Sequence, residues 1–135
     1  MQMHSNDTNR REKILHKDLS YQINGLLFKV HNELGRFCRE KQYGDAVEQI
    51  FTEYNISFER EKSLPVTYSK HQGTNRVDFT VNNKILLDIK AKPFITKEDY
   101  YQMQRYLQAI RYELGLVVNF RNRYLKPIRI IRIDS

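Results

Sequence analysis

The chain has 135 residues, 29% of them charged and 40% hydrophobic, with a formal net charge of +7 and a pI near 9.5. That is enough for one domain with a real core and too little for two, and the balance fits a soluble globular protein rather than a disordered one. The excess of Lys and Arg favours an anionic partner, nucleic acid first and acidic lipid or protein behind it. The single cysteine, Cys38, excludes an internal disulfide and a cysteine-cluster zinc site. No apolar run has the length to span a bilayer, and Met1 to Arg11 has no signal-peptide core, so a cytoplasmic protein without a membrane partner is expected.

Residues 1–17 are polar and have little to bury, which predicts a flexible N-terminal tail or the frayed start of a helix, with 18–135 as the single domain. From Leu19 the spacing Ile23, Leu26, Leu27, Val30, Leu34 is a helical stripe, with Ser20 as its N-cap and Gly35 as its stop. His31 and Glu33 have no ligand-spaced partner there, so a solvated or hydrogen-bonded role outranks a metal role. After a short connection, Tyr43, Ala46, Val47, Ile50, Phe51 and Tyr54 make a cleaner helical stripe. Glu40, three residues before Tyr43 and seven before Val47, continues the buried stripe rather than the wet face. Either it favours the positive helix start, or it points its carboxylate toward the sheet.

Ile56, Phe58, Leu64, Val66 and Tyr68 alternate loosely around Pro65, the pattern of an edge strand or a break, and residues 70–75 with Gly73 read as a turn. Arg76 to Ala91 then reads as two strands joined at Asn82-Asn83. In the first, Val77, Phe79 and Val81 share one face and Asp78 and Thr80 the other. In the second, Ile85, Leu87 and Ile89 oppose Leu86, Asp88 and Lys90. Thr96 to Asp99 forms a capping box that opens a third helix, with Tyr100, Met103, Leu107 and Ile110 as core stripe and Gln102 and Tyr106 on the adjacent face. Leu114 to Phe120 is an apolar strand-type run, and Ile128, Ile130, Ile131 and Ile133, threaded with Arg129 and Arg132, mark the last strand. The order α-α-β-β-β-α-β-β describes a small α/β domain with a mixed sheet.

Asp78, Asp88 and Lys90 are the candidate site. Carboxylates and an ammonium on largely apolar sheet faces cost several kcal/mol each unless paired or bound to a cation, so a plain hairpin would carry Thr or Val there. Their oxygens suit Mg2+ or Mn2+, and Glu40 would allow a second ion. Such a metal pair can polarise a phosphodiester and generate hydroxide, while Lys90 stabilises charge on the phosphate and Gln102 orients water or substrate. The plain structural alternative is a surface salt bridge of Lys90.

The stretch from about Leu19 to Ile133 resembles the GxxExxY protein family, within the PD-(D/E)xK nuclease superfamily. Val30-His31-Asn32-Glu33-Leu34-Gly35 is similar to the end of that family's first helix, and Glu40-Lys41-Gln42-Tyr43 to the ExxY half of the naming motif. Phe58-Glu59-Arg60-Glu61 with Leu64-Pro65-Val66 is similar to the first strand region. Arg76-Val77-Asp78 and Leu87-Asp88-Ile89-Lys90-Ala91 resemble the nuclease core. Gln102 and Tyr106 match the QxxxY element of RecB-like exonucleases, and Leu116 to Phe120 is similar to the penultimate strand. The family's glycine is Phe37 here, in the turn Gly35-Arg36-Phe37.

The resemblance implies a restriction-endonuclease-like core and a metal site at the sheet's split. Carried over, Asp78, Asp88 and the Ile89 carbonyl would ligate Mg2+ (or Mn2+), Lys90 would be the catalytic lysine and Glu40 the helix-borne acid and metal ligand. Gln102 and Tyr106 would form the fourth motif. All the chemical positions are filled, which argues against a decayed pseudo-enzyme. The function implied is a metal-dependent nuclease acting on DNA rather than RNA. A non-catalytic nucleic-acid-binding module and an accessory subunit of a repair or defence complex are the alternatives. A homo-oligomer or a helicase or repair partner stays open.

Overall fold

The computed structural model describes residues 15–64 and 76–134. The expected tail up to residue 14, Val66, Tyr68 and the turn around Gly73 lie outside the described residues. Among the described ones the element order is α1 (Lys17–Leu34), α2 (Glu40–Glu53), β1 (Phe58–Ser63), β2 (Arg76–Val81), β3 (Ile85–Lys90), α3 (Lys97–Ile110), β4 (Leu114–Asn119) and β5 (Ile128–Ile131). No helix among them is long and apolar enough to cross a membrane.

The apolar stripe of α1 is buried as expected at Ile23, Leu26, Leu27 and Val30, and Gly35 ends the helix at φ 76°, donating its N–H to His31 O at 2.8 Å. Ser20 is not the cap. It sits buried inside α1, where its hydroxyl bonds back to Lys17 O at 3.1 Å and accepts from Arg129 at 3.0 Å. That back-bonding lets serine stay within a helix. Helix α2 buries Tyr43, Gly44, Val47 and Phe51, but Glu40 is exposed. Its place as the first helical residue puts it ahead of the turn that packs, which overrides the i, i+3 spacing to Tyr43.

Strands β1, β2 and β3 form an antiparallel meander. The β2–β3 turn uses Asn82 and Asn83, both at φ 54°, the left-handed pair a tight hairpin requires. Helix α3 then carries the chain over to β4, which runs parallel to β3, and β5 returns antiparallel to β4, giving the order β1-β2-β3-β4-β5. One face of the sheet packs α1 and α2 through Phe51, Phe79, Ile85, Leu87 and Phe120; the other packs α3 through Val77, Leu86, Met103, Leu107 and Val117. Gly115 on β4 lies directly under the Met103 thioether, so any side chain there would have to displace it. On α3, Tyr106 and Gln104 are buried, whereas Tyr100 is 38% exposed and so lies outside the core stripe. The phenol of Tyr100 instead accepts from Gln104 at 3.1 Å.

The alternation expected for β2 breaks at Asp78. Val77 packs on the α3 face, but Phe79 and Val81 pack on the α1–α2 face. Two features coincide with the break. The β2–β3 ladder ends at Phe79↔Leu87, and in β1 the residue between Arg60↔Phe79 and Lys62↔Val77 is Glu61, kinked to φ 55°. The sheet opens there.

Tyr43 ties the helical layer to this sheet. Its ring stacks on Phe120 with centroids 4.2 Å apart, and its hydroxyl donates to Gly35 O at 2.5 Å while accepting from Cys38 N–H at 3.1 Å. Phe120 N–H in turn donates to Lys90 O at 2.9 Å. Tyr43→Phe keeps the stack and removes both hydroxyl bonds, so urea unfolding should show a loss of about 1–3 kcal/mol. An unchanged midpoint would show that water replaces the hydroxyl without cost.

Candidate active site

Where the β2–β3 ladder stops, side chains supply the missing rungs. Asp78 N–H donates to Asp88 Oδ1 at 3.4 Å, and Ile89 N–H donates to Asp78 Oδ2 at 2.6 Å. Both carboxyl groups are thereby drawn into the split. Asp88 is 5% exposed, and Lys90 lies beside it with Nζ 3.2 Å from Asp88 Oδ2, 3.2 Å from Gln102 Oε1 and 3.8 Å from Asp99 Oδ1. Asp78, Asp88, Lys90 and Gln102 thus form one constellation. Gln102 acts there as an anchor of the lysine. Tyr106, one turn along α3, is buried close enough to feel the charges of Asp88 and Asp78. Glu40 stands apart from this group. It lines a cleft of about 340 Å³ with Asp78, Ile89, Gly44, Arg60 and Lys41, and its charge reaches Lys90.

The electrostatics sort these groups by state. Burial, reinforced by the neighbouring Asp88 charge, pushes Asp78 up to about 7, against the opposing Ile89 N–H bond and Lys90. Burial acts to lower Lys90, but Asp88, Asp99 and Glu40 outweigh it and hold the lysine above its ordinary value. Those acids favour its ammonium form. Burial, then Asp88, pushes the Tyr106 phenol up to about 12, so it remains neutral.

Two residues escaped the sequence reading. Asp99 forms the expected capping box, with its Oδ2 accepting from Thr96 N–H at 2.8 Å, but it also binds Lys92 Nζ at 2.5 Å and faces Lys90. Burial works to raise its pKa, yet Lys92 and Thr96 hold it below the usual carboxylate range. Nothing in a Thr-x-x-Asp pattern distinguishes a cap from a cap that also clamps two lysines. Asn119 is 2% exposed and staples the loop after β3, accepting from Lys92 N–H at 3.2 Å and donating to Lys92 O at 2.7 Å. A lone amide ending an apolar strand was the available signal. His31 is hydrogen-bonded as expected, with Nε2 2.9 Å from Asn122 O.

Among the described residues no three His, Cys, Asp or Glu side chains gather as a metal cluster. Mg2+, however, is commonly held by one or two carboxylates while keeping several waters. A buried like-charged pair, one member of which holds its proton to about pH 7, is short of positive charge that a hard cation would supply. Asp78 and Asp88 fit such an ion.

A family model described as PD-(D/E)XK nuclease superfamily matches residues 17–133. Among solved structures, the crystal structure of SSO0001 is similar, with a TM-score of 0.54 and 18% identity, over 70% of this chain and 50% of that one. The chain therefore spans about half the length of that protein, and at this identity the likeness concerns the fold. No curated protein is significantly similar to the chain.

The Asp78 shift has a signed consequence for stability. Its folded value of about 7 lies above the ordinary 3.8, so the folded state holds the extra proton between them. Without divalent cation, the urea midpoint should fall as pH rises from about 4 to about 7, and Asp78→Asn should flatten that slope. Added Mg2+ should raise the midpoint most at the alkaline end. Parallel pH profiles for wild type and Asp78→Asn would contradict the shift.

Proposed function

The chain belongs to the PD-(D/E)XK nuclease superfamily, and on that premise we propose that it is a divalent-cation-dependent nuclease hydrolysing phosphodiester bonds, in DNA before RNA. The observation that carries this reading is the buried Asp78–Asp88 pair opened into the sheet's split beside a charged Lys90. A surface salt bridge needs neither burial nor a second carboxylate facing the first. The Glu40-Lys41-Gln42-Tyr43 segment supports a place in the GxxExxY group, with Tyr43 fastening the loop that leads into Glu40.

In this reading Asp78, Asp88 and the carbonyl of Ile89 would hold Mg2+ or Mn2+. A cation held there would lower the pKa of a coordinated water and polarise the phosphate. Lys90 presents its ammonium to the negative charge that develops on the phosphoryl oxygens, and Gln102 with Asp99 fixes where that ammonium sits. Tyr106 stands on the α3 side as a neutral group. Glu40, exposed at the cleft wall, would meet a second ion or orient the attacking water. A binding module without turnover is the competing reading, favoured by the net charge of +7 alone.

The test is cleavage of linear, circular and single-stranded DNA with Mg2+, Mn2+ or EDTA. Asp88→Asn and Lys90→Met, which nearly keep side-chain volume, should each lower the rate about a hundredfold or more with the circular dichroism spectrum unchanged. EDTA should abolish cutting. Cleavage that survives chelation, or that is untouched in Asp88→Asn, would falsify the assignment.

A further inference from the structure

Three loops meet at the end of the sheet where β3 and β4 finish. The α1–α2 loop is joined to the loop after β4 by a reciprocal clasp: Arg36 Nε donates to Arg121 O at 2.9 Å, and Arg121 Nε donates to Arg36 O at 2.9 Å. Arg121 Nη2 also reaches Ala91 O at 3.3 Å, at the start of the loop after β3. These loops carry the most exposed large hydrophobic residues among the described ones, Phe37 at 75%, Phe94 at 78% and Tyr124 at 78%. The Phe37 ring is held by the guanidinium groups of Arg36 and Arg121, 4.9 and 5.6 Å from its centroid, and Arg123 lies 5.4 Å from that of Tyr124. Arg60, Arg105 and Arg132 pair with acids, whereas among the described residues Arg36, Arg121 and Arg123, like Arg39, Arg76 and Arg111 outside the rim, pair with no carboxylate.

From this we infer that the rim is a binding site for an unpaired nucleic-acid strand running toward the cleft, with Phe37 as the surface on which a base stacks. The inference rests on nucleic acid being the substrate, and it names the form of that substrate. Uncompensated guanidinium groups suit phosphates. An exposed aromatic face needs a base whose own face is free, and bases stacked inside a duplex have none to offer. The clasp holds the aromatic in place before any strand arrives, which reduces the ordering cost of binding. The Phe37 ring that the clasp touches is flanked by two guanidinium groups, which suits an anionic strand better than an apolar protein surface.

The test is fluorescence anisotropy in EDTA with a labelled oligo(dT) and a blunt duplex, each of about 20 nucleotides per strand, a length that spans several stacked bases. Phe37→Ala should weaken oligo(dT) binding roughly tenfold, leave its salt dependence unchanged and barely affect the duplex. Phe37→Trp should bind as wild type. Thermal unfolding of both variants should match wild type, since the ring is exposed. Unchanged oligo(dT) affinity in Phe37→Ala, an equal loss on the duplex, or no binding of either probe overturns the inference. Cutting in Mg2+ reports separately. Binding that depends on Phe37 without any cutting defeats the nuclease reading and leaves the rim standing, while cutting with binding indifferent to Phe37 does the reverse.

Discussion

The β2–β3 ladder stops one residue short of Asp78, and backbone groups left unpaired in a sheet interior cost free energy comparable to a lost hydrogen bond. Here the carboxylates of Asp78 and Asp88 satisfy the two exposed N–H groups, of Ile89 and Asp78, and by doing so are pinned side by side. The same two bonds therefore keep the sheet open and concentrate negative charge in the opening. Replacing either aspartate with an apolar residue would close neither gap. The chemistry of the site and the local architecture of the sheet are one arrangement.

Lys90 is the counterweight. It accepts the attention of acids from two layers, Asp88 on its own strand and Asp99 on α3, with Gln102 completing the set. Side chains of opposite charge buried together are tolerable only when hydrogen bonds satisfy the rest of their capacity. Asp99 is itself kept anionic by Lys92 and the Thr96 amide, so the start of α3 takes part in fixing the ammonium. Asn119, from the parallel neighbour β4, secures the backbone of Lys92 in that position.

Much of this was legible in the chain itself. Apolar spacing located the three helices and five strands of the described residues, because burial on one face imposes periods of 3.6 and 2 that polar residues interrupt. Asp78, Asp88 and Lys90 stood out since charge within apolar strands is costly, and the structure brings them together. What could not be read is what depends on the third dimension. Alternation placed Val77 with Phe79, but the kink at Glu61 and the end of the ladder send them to opposite faces. Spacing alone put Glu40 in the buried stripe, but the helix begins on that very residue. Asp99 looked like a cap because the lysines it holds lie on another element.

The parallel pairing of β3 with β4 has a consequence for how the molecule comes into being. Lys90 pairs with Asn119 across the whole of α3, and the Arg36–Arg121 clasp closes a loop of 85 residues. Contacts of such sequence separation form slowly, since the entropy of closing the chain precedes their reward. A nascent chain that has emerged only as far as α3 already carries Asp78, Asp88 and Lys90. It still lacks the Asn119 staple, the Phe120 ring under Tyr43 and half of the rim clasp. During synthesis the side chains of the candidate site are present well before the scaffold that aligns them, and alignment waits for β4.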